Sequence, residues 1–266
     1  MTATTNSLFD RLSEVAAELD AARTIYLFLD FDGTLAPIVE DPEAASMPAE
    51  TRSILAALSV KPRFRVVVIS GRPLADLRRR VGLQGLIYAG NHGIEIDGLG
   101  LRFTEPDSLA RTPVLKDLAR KLEVRLRNAS GARIEDKGMT LSVHYRMASD
   151  ARRAEIRRVV EESVESAGDL FRVTEGIELL EIRPRVNWNK GTAALWILAS
   201  SGSAGALAVV LGDDATDEDV FSTLPAGITV RIGRTTQTAA RYQLEYQEGV
   251  GEFLAWLAAL PDGEER

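Results

Sequence analysis

Residues 27–37 read LFLDFDGTLAP, with Asp30 and Asp32 two residues apart where an apolar run ends and Gly33 and Thr34 directly behind them. A carboxylate is expensive to bury, so acids placed where a strand leaves the core point to chemistry rather than packing. Three more segments supply matching groups: VVVISGR (66–72) ends in Ser70, Gly71 and Arg72, NKGT (189–192) carries Lys190, and LGDDATDED (211–219) carries Asp213, Asp214 and Asp217. Each has a bland reading alone: Ser70 could cap a helix, and Asp217 could begin one. Together they put several acids, one base and one hydroxyl around a single crevice. That many carboxylates do not all stay ionised at close range without a cation. Oxygen donors with no histidine or cysteine among them suit a hard cation, Mg²⁺ before others. Such a cation beside a lysine and a serine makes a receptor for a phosphoryl group. A carboxylate can attack phosphorus to give an aspartyl-phosphate, so one aspartate is read as nucleophile and the other as proton carrier.

These groups need a scaffold that brings strand ends together. TIYLFLD (24–30), FRVVVIS (64–70), GLIYAG (85–90), ALAVVLG (206–212) and GITVRIG (227–233) are continuous apolar runs. Runs without alternation predict strands covered on both faces, as in a parallel sheet. Helical patterns lie between them, at 48–60 with Ile54, Leu55 and Leu58, and at 190–201 with Leu195, Leu198 and Ala199. Alternating strands and helices predict a doubly wound, Rossmann-like α/β core, whose ligands bind outside the carboxyl ends of the strands.

The middle of the chain has another rhythm. The spacing predicts a helix over 112–129, strands over 132–136 and 139–146, a helix over about 150–167, and strands over 170–175 and 177–183. This α-β-β-α-β-β order is that of a small α+β unit, with helices on one face of an antiparallel sheet. Strand period two sends Leu141, Val143 and Tyr145 one way and Thr140, Ser142, His144 and Arg146 the other. One sheet face is therefore apolar and the other carries hydroxyls, carboxylates and bases.

Composition narrows the classes of function. The 266 residues suffice for one large domain or two small ones, and 45 % are hydrophobic. The net charge of −7 argues against nucleic-acid binding. The basic clusters RPLADLRRR (72–80) and ARRAEIRR (151–158) fall in helix-like segments and are read as solvated faces. With no cysteine there is no disulfide, thiolate metal site or cysteine nucleophile. No apolar run reaches about 18 residues, so no membrane span is expected. The opening MTATTNSLFDRLSEV lacks the pattern of a signal peptide, which makes the cytoplasm the expected location. Nothing in the sequence marks an oligomeric state.

DFDGT, VVISGR, NKG and GDDATDED occur in the order of the haloacid dehalogenase-like phosphatases. The longer stretches LDFDGTLAPIVEDPEAA, YAGNHGIEI, EDKGMTLSVHYR, LEIRP and GDDATDEDVF resemble the trehalose-6-phosphate phosphatase family, over about residues 24–257. The resemblance implies a haloacid dehalogenase-type core, 1–100 with 183–266, and a smaller α+β cap domain, 101–182. It implies a small-molecule sugar phosphate as substrate, with opening and closing of the cap during turnover. Asp30 would be the nucleophile. Asp32 would protonate the leaving sugar oxygen and then activate water. Asp30, the backbone carbonyl of Asp32, and Asp213 would hold Mg²⁺, with Asp217, and Asp214 as a further candidate, supporting them. Ser70 and Lys190 would hold phosphoryl oxygens, and Arg72, Asn91, His92 and Gly93 would line the entrance. Glu135, Lys137, His144, Arg146 and Glu181 on the cap's polar face would meet sugar hydroxyls. His92 and His144 are read as positioning groups rather than proton carriers. The chain differs in having Glu178 before LEIRP, where the family often has a basic residue. The core motifs leave open another sugar phosphate, such as sucrose or glucosylglycerol phosphate, and a non-catalytic sensor.

Overall fold

The computed structural model describes residues 6–39, 41–176, 178–202 and 205–261. Residues 1–5 of the opening segment and Ile177, expected to start the last strand of the middle region, lie outside the described residues. The chain divides into two compact units, and the smaller is Thr104–Asn187.

In chain order the larger unit begins with β1 (Asn6–Ser7), α1 (Leu12–Ala21), β2 (Ile25–Leu29), α2 (Ala49–Val60) and β3 (Phe64–Ile69). It continues through α3 (Leu74–Val81), β4 (Ile87–Gly90), β5 (Glu95–Gly98) and β6 (Leu101–Thr104). The smaller unit holds α4 (Pro106–Arg125), β7 (Arg133–Asp136), β8 (Leu141–His144), α5 (Asp150–Glu165), β9 (Phe171–Gly176) and β10 (Leu179–Pro184). The chain then returns with α6 (Lys190–Ser200), β11 (Leu207–Gly212), α7 (Asp217–Thr223), β12 (Ile228–Ile232), β13 (Tyr242–Leu244) and α8 (Glu248–Ala259).

The large sheet has the order β1-β13-β12-β11-β2-β3-β4-β5-β6. Pairing is parallel from β1 to β4, and β5 runs antiparallel to β4. All five residues of β2 are buried, as an apolar strand between two helical layers must be. Its alternate residues feed two cores. Ile25, Leu27 and Leu29 pack with Val15, Leu19, Leu55, Leu58 and Leu254 from α1, α2 and α8. Tyr26 and Phe28 pack with Ala193, Ile197 and Phe221 from α6 and α7. From β2 the chain builds outward to β3 and β4, then returns to the other side of β2 as β11. The sheet order reverses between β2 and β11, which puts a crevice at their carboxyl ends.

In the smaller unit the sheet order is β7-β8-β10-β9, antiparallel throughout. Leu115, Leu118 and Leu122 of α4 and Ile156 and Val160 of α5 cover Leu141, Val143, Leu180 and Ile182. The register sets Glu135 opposite Ser142, and Ser142 opposite Glu181, which gathers these polar side chains on the other face. Several boundaries differ from expectation. Helix α4 starts at Pro106, not 112, because Glu105 caps it through the amides of Asp107 and Ser108, and Pro106 suits the first turn. Leu101–Thr104 belongs to the large sheet, and the small sheet runs on to Pro184.

Among the described residues no helix is long and apolar enough to cross a membrane. Leu122 is fully buried between α4 and the small sheet, so Leu122→Ala should lower stability by about 3 kcal/mol, read as a fall in the urea midpoint.

Candidate active site

Asp30 immediately follows β2, and its amide donates to the Leu211 carbonyl of β11 at 3.0 Å. Its carboxylate is therefore delivered to the point where the sheet order reverses. Lys190 is the first residue of α6, which Asn189 caps by accepting from the Thr192 amide at 2.9 Å while Thr192 Oγ1 accepts from the Asn189 amide at 2.7 Å. The lysine is 1 % exposed; its Nζ donates to Asp30 Oδ1 at 2.6 Å and Asp217 Oδ1 at 2.8 Å. Asp30, Asp213 and Asp217 each place an oxygen within 4.8 Å of the others.

Asp217 Oδ2 accepts from the amides of Asp213 (3.0 Å) and Asp214 (3.1 Å). With its other oxygen on Lys190, Asp217 serves to hold the loop after β11. A side chain at Gly212 would collide with Asp217. Gly33, at φ +84°, sits so close to Asp213 that a Cβ there would lie 2.1 Å from Oδ2. The DFDGTLA stretch closes as a tight turn, with the Ala36 amide donating to Phe31 O at 2.8 Å and the Gly33 amide to Ala36 O at 2.7 Å. Thr34 Oγ1 then reaches Asp213 Oδ1 at 3.3 Å.

The electrostatics reveal a surplus of acid. Burial, then the neighbouring Asp217, Asp213 and Asp214, raises Asp30 well above the usual carboxylate range despite Lys190. Burial and Asp214 push Asp213 up to about 6, while burial and the acids around it push Asp217 up to about 7. Burial alone would raise Asp214 too, but Lys190 and hydrogen bonds from Thr216 and Asp217 hold it below the usual range. Burial alone would lower Lys190, but Asp214, Asp217 and Asp30 raise it well above its ordinary value. One lysine does not neutralise four acids. The residue set fits a hard divalent cation: oxygen donors only, close together, with carboxyl groups pushed toward protonation for want of positive charge.

Asp32 stands apart from that cluster. Arg72 holds it in a fork, Nε to Oδ2 and Nη2 to Oδ1, both at 2.7 Å. Arg72 lies over the Phe31 ring, 5.5 Å from its centre. Leu29 pairs with Val68, so Asp30 and Ser70 leave neighbouring parallel strands at the same end. Ser70 is buried; its Oγ accepts from the Arg72 amide at 3.2 Å and its carbonyl from the His92 amide at 2.9 Å. Asn91, His92 and Gly93 are all left-handed, with φ of +50°, +59° and +88°. Gly71 leaves room for the His92 ring, since a Cβ there would lie 2.6 Å from it.

In the smaller unit the expected residues pair with one another. His144 Nε2 meets Glu135 Oε2 at 2.8 Å, and Lys137 Nζ reaches Glu181 Oε1 at 3.3 Å. The hydrogen bond with His144, and less so Lys137, lowers Glu135 despite its burial. Arg146 Nε donates to Glu178 at 2.8 Å, and Glu178 also takes Arg153 at 2.9 Å. Thus Glu178, read from the sequence as a departure from the resemblance, is a partner for Arg146.

Several contributors are not evident from composition or spacing. Trp188 Nε1 donates to Gly93 O at 2.8 Å and supports the left-handed turn. Asp76 in α3 collects Arg72, Arg79 and Arg80. The only sequence signal for Asp76 is its (i, i+4) spacing from both Arg72 and Arg80.

The parallel sheet that reverses order beside an acidic, lysine-bearing crevice is an architecture shared with a haloacid dehalogenase-like hydrolase from Bacteroides thetaiotaomicron, at a TM-score of 0.62 and 16 % identity, covering 88 % of this chain and 99 % of that one. The family model for trehalose-phosphatase matches residues 28–246, and the chain belongs to that family. A trehalose-phosphate phosphatase from Mycobacterium tuberculosis strain H37Rv is 39 % identical over 246 residues, covering 89 % of this chain and 62 % of the relative. The Mycobacterium marinum enzyme of the same name is 38 % identical over 242 residues, covering 88 % of this chain and 61 % of the relative. The chain thus spans under two thirds of the length of these relatives. The C-terminal domain of Candida albicans trehalose-6-phosphate phosphatase superposes with a TM-score of 0.79 at 25 % identity, covering 98 % of this chain and all (100 %) of that one.

Burial alone would raise Asp76, but hydrogen bonds from Arg79, Arg80 and Arg72 lower it to about 2, from an ordinary 3.8. A carboxyl group depressed on folding adds stability that is complete above the unfolded value and is lost as pH falls from near 4 toward 2. Asp76→Asn should cost about 1 kcal/mol near neutral pH, allowing for solvent screening, and the difference from wild type should shrink below about pH 4 and vanish only below about pH 2. Urea unfolding of both proteins across that pH range measures it.

Proposed function

We propose that the chain is a phosphatase that hydrolyses trehalose 6-phosphate to trehalose and phosphate through an aspartyl-phosphate on Asp30. The observation that carries this reading is the buried Asp30, tied to Lys190 at 2.6 Å and grouped with Asp213 and Asp217 at the crevice beside β2. The family and the mycobacterial relatives support the substrate.

In this reading a carboxylate oxygen of Asp30 forms a bond to phosphorus as the bond from phosphorus to the sugar oxygen breaks. Asp32 gives its proton to that sugar oxygen. Asp32 then takes a proton from water as the water oxygen attacks phosphorus, and the bond to Asp30 breaks. Lys190 fixes the rotation of the Asp30 carboxylate through Oδ1 and offers positive charge to the phosphoryl oxygens, with Ser70 donating from the adjacent strand end. Asp30, the Asp32 carbonyl and Asp213 would hold Mg²⁺, and Asp217 would keep Asp213 oriented through its amide. Bound there, the ion would offset the surplus negative charge, favour ionised Asp30 and polarise the phosphoryl group.

The smaller unit is proposed as the cap, with Glu135, Lys137, His144, Arg146 and Glu181 recognising sugar hydroxyls. Arg72, Asn91, His92 and Gly93 are proposed to line the entrance. The lack of cysteine is compatible with a reducing cytoplasm.

Phosphate release from a panel of sugar phosphates with Mg²⁺ should favour trehalose 6-phosphate over sucrose 6-phosphate and glucosylglycerol phosphate, and a chelator should abolish it. A chain that binds but never releases phosphate would mark a sensor instead. Asp30→Asn should neither turn over nor accept a labelled phosphoryl group, whereas Asp32→Asn should accept it but turn over about 10²–10⁴-fold more slowly. Equal residual activity in the two would contradict their assigned roles. Glu181→Gln should raise KM for trehalose 6-phosphate about tenfold or more while leaving p-nitrophenyl phosphate unaffected, because it strips one buried polar partner from the sugar.

A further inference from the structure

The carboxylate assigned to proton transfer does not stand alone: it is the first member of a line of three charged groups, Asp32, Arg72 and Asp76. Arg72 binds Asp32 through Nε and Nη2, the Pro42 carbonyl through Nη2 (2.7 Å), and Asp76 Oδ2 through Nη1 (3.1 Å). Its side chain is 11 % exposed, that of Asp76 is 19 % and that of Asp32 is 41 %. The guanidinium thus sits between a half-exposed carboxylate, Asp32, and a more shielded one, Asp76. Asp76 is itself immobilised, because it also accepts from Arg80 Nε at 2.7 Å and from Arg79. Arg80 in turn grips the Glu43 carbonyl at 3.0 Å and the Ala45 carbonyl at 2.7 Å, on the same loop as the Pro42 carbonyl.

This arrangement has the logic of any group that must exchange a proton in one geometry. A planar fork with two parallel hydrogen bonds sets the plane of the Asp32 carboxylate as well as its position. An ionised carboxylate has about four acceptor sites, so two remain for a proton when Arg72 uses one on each oxygen. A guanidinium can set that plane only if its own rotation is stopped. The Pro42 carbonyl and Asp76 both do this, and Asp76 does so with a charge.

We propose that Asp76 is a positioning residue for the proton-transferring Asp32, acting through Arg72. This rests on the phosphatase reading above and extends it to a residue outside the motifs. Its effect belongs to the step in which the Asp32 proton passes to the departing sugar oxygen as the phosphorus–oxygen bond breaks. An ester whose leaving group departs without a proton, p-nitrophenyl phosphate, does not need that alignment. The ratio of kcat/KM for the two esters therefore separates positioning from general loss of structure.

With Mg²⁺ present, Asp76→Asn should lower kcat/KM for trehalose 6-phosphate about tenfold or more and for p-nitrophenyl phosphate less than about threefold. Arg72→Lys, which keeps the charge but loses the fork, should lower kcat/KM for trehalose 6-phosphate at least as far as Asp76→Asn does. The double variant should fall no further than Arg72→Lys alone, since both act through one group. Equal losses on the two esters, no loss on either, or losses that multiply in the double variant would overturn the proposal. If wild type hydrolyses a different sugar phosphate and not trehalose 6-phosphate, the substrate reading fails while the Asp76 comparison runs unchanged on that ester. A wild-type chain inactive on every ester overturns both. Should Asp76→Asn not fold, Asp76→Ser carries the same unequal-loss test.

Discussion

The structure around the crevice depends on one buried ammonium group. Lys190 is surrounded by carboxylates in a place with almost no water, where a lone charge of either sign would be costly. The cation makes Asp30 and Asp217 tolerable beside each other, and they make the cation tolerable at the start of a helix, where the dipole disfavours it. Three separate lengths of chain must be in register for this to work: the end of β2, the loop after β11 and the start of α6. The sheet order brings the first two side by side, and the Asn189–Thr192 cap sets where α6 begins. Glycines at 33 and 212 leave room for Asp213 and Asp217 to close in.

A second constraint is the left-handed turn of Asn91 and His92. Non-glycine residues held at positive φ cost about 1–3 kcal/mol each and persist only where the surroundings over-determine them. Here the determinants are visible. The Asn91 amide donates to Arg72 O, the His92 amide to Ser70 O, and the Trp188 indole to Gly93 O, while Asn91 Nδ2 reaches Glu95 at 2.7 Å. The turn after β4 is thereby tied to the turn after β3. Strain stored there is compatible with a surface that must keep one shape for a ligand.

The smaller unit divides its two faces by chemistry. One buries leucines and valines against two helices; the other lines up Glu135, Ser142 and Glu181 across three strands. Charges on that face are paired within the unit, His144 with Glu135, Lys137 with Glu181, and Arg146 with Glu178. Paired side chains with fixed geometry hold donors and acceptors at set positions, which is what the proposed recognition of hydroxyls requires. Glu178 holds φ +55° while gripping Arg146 and Arg153, which gives it a local structural role.

Much of this was legible in the linear chain. Unbroken apolar runs such as 25–29 imply a strand buried on both faces, since no half-exposed strand tolerates them, and the Leu141/Val143 against Ser142/His144 alternation imposes two unlike faces. The acids of DFDGT and GDDATDED, with NKG, carry the phosphate- and cation-directed reading proposed above, because few other uses explain oxygen donors at strand ends. Only the folded chain decided which groups touch. Asp32 lies on Arg72 rather than in the acidic cluster, Asp217 spends its oxygens on a lysine and two amides, and Asp76 enters through a helix whose charges read as solvated. Local sequence carries backbone preference and hydrophobic period, but a hydrogen bond between residues 40 or 160 positions apart is set by how helices seat on the sheet, and no local pattern encodes it.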